Sequence, residues 1–156
     1  MPSSEFATKS SEETIERGRE IGAQLTAPVL LLLSGDLGAG KTTLTKGIVA
    51  GLGAAGEEEV TSPTFTLIHR YGCGARVYHV DLYRIEGPRD IETLGLEDLF
   101  TEPGVVIVEW AEKLTLRTDW PAVRIHLEHA GDDTRTISVQ DADNVLRRPS
   151  KQTDRR

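Results

Sequence analysis

No part of this chain limits its fold more than residues 30–44, LLLLSGDLGAGKTTL. Val29–Leu33 is a run of five apolar residues, as expected of a strand buried on both faces. Leu44, Ile48 and Leu52 follow at helical spacing, and Gly53 stands where it would end that helix. Between strand and helix, Gly35, Gly40, Lys41 and Thr42 fill the pattern G-x-x-x-x-G-K-[ST]. Glycine lets the backbone wrap tightly, so the N–H groups of Asp36, Leu37, Gly38, Ala39, Gly40 and Thr43 can converge on phosphate oxygens. Lys41 then carries its ammonium to the outer phosphates of a nucleotide, and the Thr42 hydroxyl is placed to ligate Mg²⁺. The start of the helix adds free N–H groups and the positive end of its dipole. The pattern describes a nucleotide-binding chain.

At 156 residues the chain has room for one domain with a real core. The formal charge is −7; five basic and three acidic residues lie from Asp141 onward, which leaves −9 on residues 1–140. A body that acidic is poorly suited to gripping a nucleic-acid backbone by itself, because that grip needs phosphate neutralisation. Contact with RNA is therefore expected to be indirect, through a partner. Cys73 is the single cysteine, which excludes an intramolecular disulfide and a cysteine-based metal site. Residues 1–28 lack the apolar stretch of a signal peptide, and no run approaches the roughly 20 residues needed to span a bilayer. The expected location is the cytoplasm, with no membrane contact.

Residues 1–9 read as a loose lead-in. Ser10-Ser11-Glu12-Glu13 reads as a capping box opening a surface helix that runs to about Leu25. Glu57-Glu58-Glu59 reads as a solvated loop tip. Thr61-Ser62-Pro63-Thr64 reads as a turn before a strand over Phe65–Tyr71. Gly72-Cys73-Gly74 then suggests a hairpin turn returning into Ala75–Leu82. Two short helices are expected over Pro88–Leu94 and Leu96–Phe100. Val105–Val108 is a second continuous apolar strand, and Ala122–Glu128 with Thr134–Val139 forms a closing hairpin. From Asp141 onward the composition is polar and aperiodic, so residues 141–156 are expected to form a disordered tail to a 1–140 domain.

Glu109, which ends the second apolar strand, has the layout of a carboxylate that holds a metal's hydration shell or orients an attacking water. Asp81 stands at another expected strand end; the residue alone fits equally a pairing with Arg84 or a helix cap. Arg84 is a candidate for offsetting charge on the terminal phosphate. Thr64 and Thr66 lie where a loop could sense that phosphate. Trp110 could wall the site or pack in the core. The four histidines do not form a metal set, since His126 and His129 fall on opposite faces of a strand and His69 is distant.

Gly35–Leu44 (GDLGAGKTTL), Ser62–Leu67 (SPTFTL), His79–Arg84 (HVDLYR) and Glu109–Glu112 (EWAE), in this order and spacing, resemble the TsaE (YjeE) family. The resemblance covers roughly Ser10 to Val139. It implies a bacterial ATPase of tRNA threonylcarbamoyladenosine synthesis that uses ATP and Mg²⁺. It also implies work with TsaB and TsaD, which transfer a threonylcarbamoyl group to tRNA. By motif matching it gives Lys41 and Thr42 the phosphate and metal roles, makes Glu109 the second metal-side residue, and makes Asp81 and Trp110 further positions required for activity. Ser10, and Asp133 in the hairpin Asp132-Asp133-x-Arg135, align with segments near the base.

Three other readings compete. A small-molecule kinase needs an arginine-bearing lid, but Glu86–Glu102 is short and holds only Arg89. A GTPase needs an N-K-x-D signature, which the sequence lacks. A module that binds nucleotide without hydrolysing it has no use for Glu109 and Asp81. The fold expected is a single α/β domain with a mostly parallel central sheet, helices on both faces and antiparallel hairpin additions.

Overall fold

Strands too apolar to tolerate solvent on either face form the middle of the sheet. The computed structural model describes residues 3–36, 38–56, 59–60, 68–72, 76–114 and 118–146. Among them, β1 (Ser3–Thr8), β2 (Val29–Gly35), β3 (Ile68–Tyr71), β4 (Val77–Asp81), β5 (Val105–Glu109), β6 (Ala122–His129) and β7 (Arg135–Gln140) make one sheet, ordered β1-β7-β6-β2-β5-β4-β3. The four central strands are parallel, whereas β1, β7 and β3 join antiparallel at the edges. This is the expected mixed α/β architecture.

Period-two alternation splits the central strands between two cores. Leu31, Leu33 and Ile107 face α1 (Ser11–Ala23) and α2 (Lys41–Gly51), where Ile21, Leu44 and Ile48 complete the packing. Leu30, Leu32, Val106 and Val108 face the other way, under α3 (Pro88–Leu94) and the 3₁₀ turn Leu96–Phe100. Helices therefore cover both faces. Among the described residues no helix is long and apolar enough to cross a membrane.

The two larger helices touch backbone to backbone. An added Cβ would stand 2.5 Å from Leu44 O at Gly18, 2.2 Å from Ile48 O at Gly22, 2.0 Å from Ile15 O at Gly47 and 2.3 Å from Arg19 O at Gly51. Each helix thus offers two glycines four residues apart, one above the other on a single face. The buried face of α1 consists of Thr14, Gly18, Ile21 and Gly22.

At the start of α1, Ser10 Oγ accepts from Glu13 N at 3.1 Å, while the Glu13 carboxylate accepts from Lys9 N at 2.7 Å. The capping is the expected kind, reaching one residue further back than the standard box.

Two expectations are corrected. Residues 3–8 are not a loose lead-in: β1 pairs with β7 from Ser3↔Gln140 to Thr8↔Arg135, and Phe6 packs on the core. The chain past Gln140 stays ordered to Leu146, because Asp141 is buried and accepts from Val145 N and Leu146 N at 2.7 and 2.8 Å. A short polar segment secured by one buried carboxylate carries no periodicity for sequence reading to detect. Residues 147–156, the loop tip Glu57-Glu58, the turn 61–67 and residues 73–75 of the expected hairpin turn lie outside the described residues. The strand expected from Phe65 is described from Ile68, and β3 and β4 pair antiparallel as a hairpin requires.

Gly47→Ala is expected to lower stability by about 1–3 kcal/mol despite alanine's better helix propensity, because the methyl group meets a backbone carbonyl. Gly87→Ala, where nothing lies within 4 Å of the added Cβ, should change it by less than about 1 kcal/mol. Urea midpoints of the two variants test the difference.

Candidate functional site

Parallel pairing brings the carboxyl ends of β2, β5 and β4 to one edge of the sheet. In register, Leu33 lies beside Glu109, and Glu109 beside Asp81. Open α/β sheets place ligands at this edge. The chain leaves β2 at Gly35 with φ +141°, where a Cβ would stand 2.3 Å from Leu127 O. It enters α2 through Gly40, the N-cap, at φ +106°. Ala39 N–H donates to Asp36 O at 3.0 Å, which closes the turn between them.

The turn and the strand ends enclose a cleft of about 270 Å³, lined by Gly38, Gly40, Lys41, Thr42, Thr43, Asp81, Tyr83, Glu109, Trp110 and Arg135. Thr42 Oγ1 donates toward Glu109, 2.9 Å from each carboxylate oxygen, bridging 67 residues of sequence. With its hydrogen directed at Glu109, the hydroxyl keeps lone pairs for a cation. His79, fully buried on β4, places Nε2 2.5 Å from Glu109 Oε2. Asp81 is buried and accepts from Tyr83 N at 2.9 Å.

Lys41 is 4% exposed. Its Nζ donates to Gly35 O at 2.6 Å and Asp36 O at 2.9 Å, and lies 4.1 Å from the centre of the Trp110 ring. Burial pulls its pKa below the usual value, against the opposing charges of Glu109, Glu112, Asp81 and Asp36. Trp110 adopts the left-handed conformation at φ 60° and packs at 5.0 Å on the half-exposed Tyr83. Lys113 Nζ donates to Tyr83 O and Ile85 O, tying the turn after β5 to the segment after β4.

The cleft continues into a notch of about 20 Å³ that Ser10, Ser11, Thr14 and Asp133 share with Gly40, Thr43 and Arg135. Residues 10 and 133 thus meet beside the loop although 123 positions separate them in sequence. Arg84 is exposed on the turn after β4 and does not line the cleft. Asp36 is exposed, with only its carbonyl turned to Lys41. Leu37, Thr64 and Thr66 lie outside the described residues. Sequence reasoning missed His79, Lys113 and the entry of Arg135 into the cleft. The alternation in His79-Val80-Asp81 carried a signal for the first, since it sets His79 on the face of Asp81.

Among the described residues no group of three or more His, Cys, Asp or Glu could hold a metal. The Thr42–Glu109 oxygen pair suits a cation such as Mg²⁺, which takes one or two protein oxygens and fills its remaining positions with water and phosphate.

Fold and site together define a mixed α/β domain whose glycine-rich turn feeds the N-terminus of a helix at the carboxyl edge of a parallel sheet. The family model for "Threonylcarbamoyl adenosine biosynthesis protein TsaE" matches residues 8–137, and the chain belongs to the TsaE family. It is 40% identical over 139 residues to the tRNA threonylcarbamoyladenosine biosynthesis protein TsaE of Bacillus subtilis, covering 88% of this chain and 85% of that one. The TsaE of a Nostoc species is 46% identical over 134 residues, covering 82% and 80%. The crystal structure of Bacillus subtilis YdiB superposes with a TM-score of 0.69 at 33% identity, covering 92% of this chain and 89% of that one.

The lowered pKa of Lys41 has a consequence for stability. Its protonated form is penalised in the folded state, so the cost is present in full below the folded pKa and is relieved as pH rises from there toward the unfolded 10.5. Relative to Lys41→Met, wild type should therefore gain stability as pH rises from 7 to 10. Urea midpoints of both proteins over that range check the sign.

Proposed function

We propose that this chain is a Mg²⁺-dependent ATPase of tRNA threonylcarbamoyladenosine synthesis, acting in the cytoplasm with TsaB and TsaD. The observation that carries the reading is the Thr42–Glu109 hydrogen bond beside Lys41 at the start of α2. It joins the three groups that nucleotide hydrolysis needs in one place. Membership of the TsaE family supports the pathway.

In this reading the turn's N–H groups and Lys41 bind the β- and γ-phosphates, with Lys41 exchanging two carbonyl partners for phosphate oxygens. Thr42 and Glu109 hold Mg²⁺, which when bound neutralises charge on the phosphates. Glu109 and Asp81 orient the water that attacks the γ-phosphorus. Thr43, Ser10 and Asp133 lie along the flank toward the base. Trp110 covers Lys41 and keeps water from that side. Arg84 is exposed and does not line the cleft, and Arg135 enters on the Ser10–Asp133 flank. An arginine or an ordered loop from the partners would then complete the set, an addition worth ~10³–10⁵ in rate in other phosphate-loop enzymes. The tRNA is met through the complex, in keeping with the acidic body.

Phosphate release from ATP and from GTP, with and without TsaB–TsaD over a salt series, tests this. Hydrolysis should be slow alone, stimulated by the partners, and less stimulated as salt screens the attraction. Full-speed turnover by the isolated chain, indifferent to the partners, would refute the partner dependence.

Two substitutions separate binding from chemistry. Lys41→Ala should cost about ten- to a hundredfold in ATP affinity, the equivalent of a lost charged hydrogen bond, and should abolish turnover in a folded protein. Glu109→Ala should spare affinity and lower kcat, because its work falls mainly in the transition state. Equilibrium binding and single-turnover rates distinguish the two patterns.

A further inference from the structure

Beneath the cleft lies a side chain that neither the phosphates nor the metal would touch. His79 stands two residues before Asp81 on β4, so it shares the sheet face of Asp81 and of Val77, which packs in the core under α2. Its ring is fully buried, and Nε2 lies 2.5 Å from Glu109 Oε2. Nδ1 is also buried and has no hydrogen-bond partner among the described residues. A buried N–H without an acceptor is the rarer and costlier orphan, so the ring hydrogen belongs on Nε2, which donates it to Glu109.

The carboxylate of Glu109, itself 2% exposed, is thereby gripped from two sides. Thr42 Oγ1 lies 2.9 Å from both Oε1 and Oε2, so this contact alone does not distinguish the two oxygens. His79 does, because it engages only Oε2. With Oε2 held by His79 as well as by Thr42, rotation about the last side-chain bond is stopped, and Oε1 is left with Thr42 as its side-chain partner among the described residues.

We propose that His79 is a positioning residue that fixes the carboxylate plane of Glu109, leaving Oε1 as the oxygen that serves the cation and the attacking water. The proposal rests on Glu109 having the role given above. A core histidine that merely filled space would show the same burial, so the test must separate donation from volume. His79→Leu fills the site without a donor, and His79→Gln returns an amide N–H at nearly the reach of Nε2.

Partners that orient a metal-side ligand typically cost ten- to a hundredfold in activity when lost. His79→Leu, confirmed as folded by its melting curve, should lose roughly that much kcat with TsaB–TsaD, while ATP affinity stays within about twofold. His79→Gln should recover most of the loss. If the leucine variant does not fold, His79→Asn, whose amide falls short of Oε2, takes its place with the same expectation. Independently of turnover, ¹⁵N-histidine spectra of the wild-type chain should show one slowly exchanging Nε2–H imidazole whose signal moves in Glu109→Gln.

Normal kcat in the leucine variant, a glutamine variant as impaired as leucine, or affinity falling in step with kcat would each overturn the proposal. So would the absence of that imidazole signal. Failure of the ATPase reading looks different: the wild-type chain with its partners would release no phosphate while the imidazole signal still answered to Glu109→Gln.

Discussion

Parallel pairing of β2 with β5 and of β5 with β4 suspends the charged groups of the cleft from one sheet edge. Leu33, Glu109 and Asp81 come level there, and the turn after Gly35 begins two residues further on. A one-residue slip of β5 would carry Glu109 to the opposite face, away from Thr42, and break the bond between strand and helix. Val105–Val108 and Leu30–Leu33, buried on both faces, offer no polar side that would choose a register, so the choice falls to the strand end, where Glu109 bonds Thr42 and His79.

The helix that meets this edge is held by an unusual contact. Four glycines let the backbones of α1 and α2 approach until added Cβ atoms would stand within 2.0–2.5 Å of carbonyl oxygens. So close a seat fixes α2 against α1 as well as against the sheet. That matters for function, because the first turn of α2 carries Lys41 and Thr42. Ser10, the cap of α1, is brought to the flank of the same loop by the same packing. One helix pair thus connects the Lys41–Thr42 end of the cleft to the notch beside it.

Charge in the cleft is arranged around one buried ammonium. Lys41 faces four carboxylates at longer range, yet its direct partners are two backbone carbonyls and the Trp110 ring. Burial outweighs those carboxylates, which is why its pKa falls. Neutral dipoles hold the ammonium without neutralising it, so its charge stays available to an anion. Trp110 occupies a left-handed backbone position that a bulky side chain rarely takes. Strain of this kind persists only where the surroundings impose it, and here Tyr83, Lys113 and Lys41 do so.

The amino-acid sequence by itself determined the strand–loop–helix unit, the apolar strands ending in Glu109 and Asp81, and the parallel α/β class. These follow from local patterns: a glycine template with a fixed chemical use, continuous apolar runs, and helical spacing. Family resemblance extended this to Ser10 and Asp133, which no local rule connects. Tertiary structure alone decided what each carboxylate touches, because hydrogen bonds such as Thr42–Glu109 and His79–Glu109 join residues 67 and 30 positions apart. It also decided that β1 is a strand, since an edge strand with five of its six residues exposed or half-buried gains its order from pairing with β7. The same holds for Asp141, whose side chain orders the segment behind it only once the sheet has buried it. Glycines spaced by four in both helices were visible all along. What they permit is a contact between two backbones, and a pattern read along one helix carries no record of its partner.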